Sequence, residues 1–273
     1  MKIAICFFGI TRSLPYTVSS IEKNIISPSK SIATTKIFGH FFDLKEISNP
    51  RSGESVTVNS NHYDLIKFDN LQTEKPDLFL PDTSFERVKS YGDIWNDDFM
   101  SLKNLYHQLH SLKNVFAASR SFGADITLLL RPDLLYIDNF APLLKEVTSQ
   151  NKSDFAYVPS WQPFGGMNDR LAIVKGSNAG EAIANRLNIT ESFCQQLNEP
   201  LHAEKLLKFS LNKAGVDARH FNQRAIRVRA NGRRAKEFFG DSLFSHIMGN
   251  INFRINLLKD TMEMGLPQVT SKK

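Results

Sequence analysis

The stretch that most constrains this chain is Ala124 to Asp138, ADITLLLRPDLLYID. Asp125 to Leu130 reads as a short buried strand, bounded by Gly123-Ala124 on one side and Pro132 on the other. The run then ends in charge. Ligands of open α/β sheets collect outside the carboxyl ends of the strands, so Arg131 and Asp133 stand where a polar ligand is expected.

With 273 residues, 41% of them hydrophobic and 23% charged, the chain can bury a large core, and one main domain is expected. Cys6 lies in an apolar run and Cys194 in a helical one, a pattern of structural thiols that points to a reducing, cytoplasmic setting. MKIAICFFGITR lacks a small-residue cleavage site and reads as a first strand rather than a signal peptide; no stretch approaches a membrane span. A formal charge of +6 suits an anionic partner: a nucleotide diphosphate, a nucleic acid or a phospholipid surface. Much of the excess lies in Arg219 to Lys236, and a charge run is usually a solvated face.

Lys2 to Phe8 predicts a strand of the kind buried in a parallel sheet, followed by the polar turn Gly9-Ile10-Thr11-Arg12. That is a strand-then-phosphate-loop layout without a GxGxxG or P-loop pattern. Pro15 to Ile26 predicts a crossover helix and Thr35 to Phe42 a second strand, near whose end His40 reads as an ordinary hydrogen-bonded residue. Asn49 to Asn61 predicts a surface loop, Tyr63 to Phe68 a third strand, and Gln72 to Ser84 an irregular connection. Leu102, Leu105, Leu109, Leu112 and Phe116 recur at steps of three and four, so Asp98 to Phe122 predicts an amphipathic helix. Its His107 and His110, with no carboxylate or cysteine beside them, read as a surface pair.

Pro142 to Ser149 predicts a helix, and Asp154 to Pro159 and Leu171 to Val174 predict strands. Between those strands, Gly165-Gly166 permits a close backbone approach to a ligand, and Trp161, Phe164 and Asp169 are side chains that sugar-binding surfaces use; a tight turn with packed aromatics is the alternative. Helices are predicted over Ser177 to Leu187, Glu191 to Leu197 and Pro200 to Ala214, the last stopped by Gly215. Glu204 lies in its first turn, off the apolar face, where a carboxylate also complements the helix dipole without any chemistry. Ala225 to Ala230 alternates like an edge strand, and Glu237 to Met264 carries helical patterns.

This order of elements, with LLLRPDLLYID, GGMNDRLAI and HAEKLLKFSLNKAG as its most specific pieces, resembles the GT-A fold of nucleotide-sugar-dependent glycosyltransferases, especially bacterial and viral ones whose chains begin like KIAICFFGITR. The resemblance implies a Rossmann-like α/β domain over residues 1–235, with a mostly parallel sheet flanked by helices. A helical extension over 236–265 and a disordered tail over 266–273 would follow. It implies transfer of a sugar from a nucleotide-diphosphate sugar to a hydroxyl of a saccharide or lipid-linked glycan, with inversion. In that fold the mid-chain strand ends in Asp-x-Asp, holding a divalent metal; here Arg131-Pro132-Asp133 keeps one carboxylate and replaces the other by a cation. Asp133 is then the expected ligand for Mn²⁺ or Mg²⁺, with Arg131 neutralising phosphate oxygens. A local Arg131–Asp133 ion pair is the alternative. Gly9, Thr11 and Arg12 would receive the donor, and Trp161, Gly165, Gly166 and Asn168 the acceptor. Glu204 matches the position of the base, with Asp169 as competitor.

Two rival readings remain. One is a nucleotide-sugar-binding protein that has lost catalysis, supported by the degenerate Arg131-Pro132-Asp133 motif. The other is a nucleic-acid or anionic-surface binder using Arg224, Arg227, Arg229, Arg233 and Arg234. No aromatics interleave with that basic run, so specific nucleic-acid binding is not expected; peripheral contact with an anionic membrane is a weaker use of the same patch.

Overall fold

A computed structural model describes residues 1–49, 54–57 and 60–240. In chain order, β1 (Lys2–Gly9) leads into α1 (Leu14–Ile21), which runs through a π-helical stretch into α2 (Ser27–Ile32). Then come β2 (Thr34–Phe42), β3 (Glu46–Asn49), β4 (Glu54–Thr57), β5 (Asn70–Glu74), α3 (Phe85–Lys89) and α4 (Met100–Ser119). The middle of the chain supplies β6 (Ile126–Leu130), β7 (Leu134–Tyr136), α5 (Ala141–Ser149), β8 (Phe155–Pro159) and β9 (Leu171–Lys175). It closes with α6 (Ser177–Ala184), α7 (Thr190–Leu197), α8 (Ala203–Lys213), β10 (Asp217–Phe221) and β11 (Ala225–Arg227).

The main sheet has the order β10-β8-β9-β6-β1-β2-β5 and is parallel except for β9, as the α/β reading requires. β1 explains why both faces must be covered. Ile3, Ile5 and Phe7 point into a core shared with α1, α2 and α5, whereas Ala4, Cys6 and Phe8 point into a second core beneath α4, α6 and α8. The stripe predicted on α4 is buried as expected at Leu102, Leu109, Leu112 and Phe116, and Gly215 follows α8 with φ +64. Cys6 and Cys194 are both buried free thiols. No helix among the described residues is long and apolar enough to cross a membrane.

Three expectations change. Tyr63 to Phe68 is no strand: a 3-10 turn covers Ser60–Leu65, and Ile66 and Phe68 pack against the core while the chain passes on. The third parallel strand is β5, which runs into the start of the segment read as irregular; it pairs with β2 at the sheet edge, where its polar residues are mostly exposed. The stretch read as a surface loop contains β4, which pairs antiparallel with β3, and Glu54 in it is buried. The helix expected from Glu237 onward lies outside the described residues from 241; residues 235–240 carry no regular structure, and Phe239 packs edge-on against Trp161.

Candidate active site

The chain leaves β1 towards β2 and β5 on one side, and from β6 builds β9, β8 and β10 on the other. Such a reversal between neighbouring parallel strands opens a crevice at their carboxyl ends. The turn that ends β1, with Gly9, Thr11 and Arg12, and the residues after β6, Arg131 to Asp133, both lie at those carboxyl ends, with Thr11, Arg12 and Asp133 buried. β9 runs against β6 with Leu171 opposite Leu130, so Asp169 and Arg170 flank the residues leaving β6. Glu204 comes from the first turn of α8. Gly166 fixes that turn: a Cβ there would lie 2.0 Å from the Glu204 carbonyl oxygen, and the next N–H, of Met167, donates to that oxygen at 3.0 Å.

Asp133 is the hub. Its Oδ1 accepts from Arg131 Nε at 2.9 Å and its Oδ2 from Arg131 Nη2 at 2.7 Å, with Arg12 Nη2 3.3 Å from Oδ2. Arg12 also donates to Glu54 at 3.1 Å, and Glu54 takes Arg229 at 3.2 Å and the Ala230 N–H at 2.9 Å. Gln108 of α4 links the cradle to the base candidates: it accepts from Arg131 at 2.8 Å and donates to Asp169 at 3.0 Å. Arg186 is fully buried 3.9 Å from Asp169, beside a cavity of about 10 Å³. On the outer side Glu237 pairs with Arg170 at 3.1 Å and Arg227 at 2.9 Å.

The two carboxyl groups central to the site are driven apart. Burial pushes Asp133 upward, but the charge and hydrogen bonds of Arg131, with Arg12 behind, outweigh it and hold the carboxyl well below the usual range. Glu204 goes the other way. Burial first, and then the charge of Asp169, push it up to about 8 against the pull of Arg170. Carboxyl groups separated in this way mark candidates for acid–base work.

A divalent metal does not fit at Asp133. Both oxygens are occupied by guanidinium groups, and Glu54, which shares Arg12, is itself held by Arg229. A hard cation needs several converging oxygens that are not already neutralised. At Asp133, where Mn²⁺ or Mg²⁺ was expected, two arginines hold the carboxylate, and the local ion pair weighed as the alternative is present. Among the described residues, the group whose ligand atoms converge is instead His40, Glu74 and His110.

Of the four residues expected to meet the acceptor, Trp161 and Asn168 are buried, Gly166 is half-buried and Gly165 is exposed. Trp161 is 1% exposed, donates its indole N–H to the Gln223 carbonyl at 3.0 Å and lies against Arg170. Asn168 donates to the Trp161 carbonyl at 2.7 Å and accepts from the Arg170 N–H at 3.1 Å. Gly165, with φ +81, faces the Lys205 side chain, and Gly166 abuts Glu204. Together they position Arg170 and Glu204. Glu54, Gln108, Arg170, Arg186 and Glu237 were not anticipated as site residues, and Arg227 and Arg229 only as part of a basic surface. Glu54 alone carried a signal, as a lone acid in an otherwise Ser- and Asn-rich stretch.

The basic run is largely paired. Arg224 meets Asp138 at 2.8 Å, Arg227 meets Glu237 and Arg229 meets Glu54; Arg233 and Arg234 are exposed.

No protein-family model matches the chain, and no curated protein does. Among solved structures it is similar to mouse xyloside xylosyltransferase 1 in its apo form, with a TM-score of 0.44 and 8% identity over 81% of this chain and 86% of that one. An active-site mutant of LgtC gives a TM-score of 0.41 and 12% identity over 81% and 73%. The galactosyltransferase LgtC in complex with donor and acceptor sugar analogs gives 0.36 and 11% over the same shares. These neighbours are glycosyltransferases; at such scores the likeness says nothing of what this chain acts on.

Proposed function

We propose that this protein transfers a sugar from a nucleotide-diphosphate sugar to a hydroxyl of a saccharide acceptor. What supports the reading is the placement of Glu204 in the first turn of α8 at the rim of a cradle rich in guanidinium groups, where burial and the charge of Asp169 push its carboxyl up to about 8. Arg12, Arg131, Arg170, Arg186, Arg227 and Arg229 face Glu54, Asp133, Asp169, Glu204 and Glu237. The cations outnumber the carboxylates, and by two charges while Glu204 keeps its proton. That surplus favours a dianion such as a sugar diphosphate ester.

In this reading Arg12 and Arg131 receive the diphosphate beside the Gly9–Arg12 loop. As the bond from the anomeric carbon to the phosphate oxygen breaks, its electron pair leaves on the diphosphate, where the guanidinium groups stabilise the growing charge. The acceptor oxygen bonds to the anomeric carbon on the opposite face, and its proton passes to ionised Glu204. Inversion follows from that placement. Asp169 is the alternative base.

The test is a thermal-shift panel of UDP, GDP, CMP, dTDP and their sugar conjugates, each with Mn²⁺, Mg²⁺ or EDTA, followed by product analysis with the stabilising donor. A ligand at 100 times its Kd adds about 2.7 kcal/mol to the folded state. One nucleotide family should raise Tm equally in all three conditions; no shift with any of them refutes the reading.

A second reading, nucleotide-sugar binding without transfer, is favoured by one observation: Arg131 and Arg12 are already committed to Asp133 and Glu54. It predicts the shift without product. For exposed Arg224, Arg233 and Arg234 we propose at most a salt-sensitive contact with an anionic membrane, checked by co-sedimentation with vesicles of anionic lipid.

A further inference from the structure

His40 near the end of β2, Glu74 at the end of β5 and His110 on α4 come together at one edge of the sheet, apart from the Asp133 cradle. The hydrogen bonds around His40 decide which of its nitrogens carries the proton. Ser111 Oγ donates its one hydrogen to the His40 carbonyl oxygen at 2.6 Å, so towards the ring nitrogen Nδ1, 3.2 Å away, it can only accept. Nδ1 therefore carries the proton and Nε2 keeps a lone pair. Asn114 presents its amide nitrogen, a donor only, to His40 Nε2 at 3.1 Å and His110 Nε2 at 2.8 Å, so both lone pairs turn to the same place.

Glu74 Oε1 faces them, 2.7 Å from His110 Nε2 and 3.8 Å from His40 Nε2. It is a buried atom that accepts no hydrogen bond. Two lone-pair atoms at 2.7 Å repel one another unless a proton or a metal ion lies between them.

We propose that His40 Nε2, His110 Nε2 and Glu74 Oε1 bind one divalent transition-metal ion of the Zn²⁺ type, leaving one position open. Two imidazoles and a carboxylate suit that class of ion. The three ligand atoms already lie within 4.8 Å of one another. Tetrahedral Zn²⁺, with bonds of about 2.0–2.1 Å, holds its ligands ~3.3 Å apart, between the 2.7 and 3.8 Å that separate Glu74 from the two imidazoles, so these two contacts need only sub-ångström adjustment. Glu74 sits on an edge strand that is mostly exposed and can supply it, and Asn114 gives up its two contacts. Ser111 is the outer-shell partner that orients His40, and its hydroxyl also accepts the Gly9 N–H at 2.8 Å. The ion would therefore fasten β5 and α4 to the start of the Gly9 loop. The inference is independent of sugar transfer. His40 is hydrogen-bonded as the sequence suggested, and folding brings His110 the carboxylate that sequence spacing did not.

The experiment is isothermal titration of the chelator-stripped full chain with Zn²⁺, alongside visible absorption of the Co²⁺-loaded protein. One Zn²⁺ should bind per chain. Glu74→Gln and His110→Ala should each weaken binding by at least about tenfold and abolish the Co²⁺ bands. His107→Ala, on the same helix but paired with Asp77 at 2.7 Å, should leave affinity within about threefold. Absence of saturable one-to-one uptake overturns the proposal, as does an equal loss in His107→Ala. If His110→Ala fails to fold, Glu74→Gln, a near-isosteric change at a partly exposed position, decides alone.

Discussion

Replacing Glu204 by glutamine should make the protein more stable and less active at once. The Glu204 carboxyl is raised from an ordinary 4.5 to about 8 by burial and by Asp169, so the folded state holds its proton more tightly than the unfolded state does. A raised pKa contributes stability that is fully present below pH 4.5 and is lost as pH climbs through 8. At about 1.4 kcal/mol per pH unit the bound is roughly 5 kcal/mol, and because Asp169 shares the repulsion a few kcal/mol is expected. The glutamine carries no such penalty. Thermal unfolding from pH 4 to 9 should show the two proteins matched at the acid end. The variant should melt higher at the alkaline end, by about 2–4 °C per kcal/mol for a chain of this size. Transfer should move the other way. Wild-type kcat/KM should rise with pH up to about 8, where the base ionises, while Glu204→Gln should lose about 10²- to 10⁴-fold with donor affinity kept. Parallel melting curves at every pH would show that burial imposes no cost on this carboxyl. Wild-type transfer by the variant would hand the role of base to Asp169.

Other perturbations report on the cradle. Asp133→Ala leaves buried Arg12 and half-buried Arg131 without their shared carboxylate and should cost about 3 kcal/mol in denaturant unfolding; a loss under 1 kcal/mol would mean that solvent already screens the pair. EDTA should change donor Kd by less than about twofold, since arginines occupy the place of a metal at Asp133. Glu54→Gln should free Arg12 and Arg229 and tighten pyrophosphate binding about tenfold; weaker binding would show that Glu54 organises the arginines instead of competing for them. Gly166→Ala must displace the Glu204 carbonyl now 2.0 Å from the added Cβ, so transfer should fall far more than Tm.

What could be read of the fold follows from where the apolar residues fall. β1, β2, β6, β8 and β9 are buried in the sheet interior, and their runs announce them. β5 and β10 are edge strands whose residues NLQTE and DARHF carry no apolar pattern; they are strands because β2 and β8 offer them a free ladder. Tyr63 to Phe68 shows the converse. Tyr63, Ile66 and Phe68 serve packing: Phe68 lies 2.8 Å from where a Cβ on Gly39 would stand, filling the space the glycine leaves.

The site was legible only where its chemistry is local. Arg131, Asp133, Asp169 and Glu204 could be placed because strand ends and a helix start fix their neighbourhood. Their partners could not, since Glu54 reaches Arg12 across 42 residues and Arg229 across 175, and no periodicity records such pairings. The same long-range pairing changes the meaning of Arg131-Pro132-Asp133. An isolated buried ion pair is a weak source of stability, because desolvation offsets most of its attraction. Here Arg12, itself held by Glu54, adds further positive charge to a carboxylate already paired with Arg131, so the local surplus of cations exceeds what folding alone needs. A dianionic ligand would offset that desolvation cost. Salt should therefore weaken donor binding, and Lys in place of Arg131 should do so even at low salt, because an ammonium cannot bridge both Asp133 and Gln108 in the planar geometry Arg131 uses.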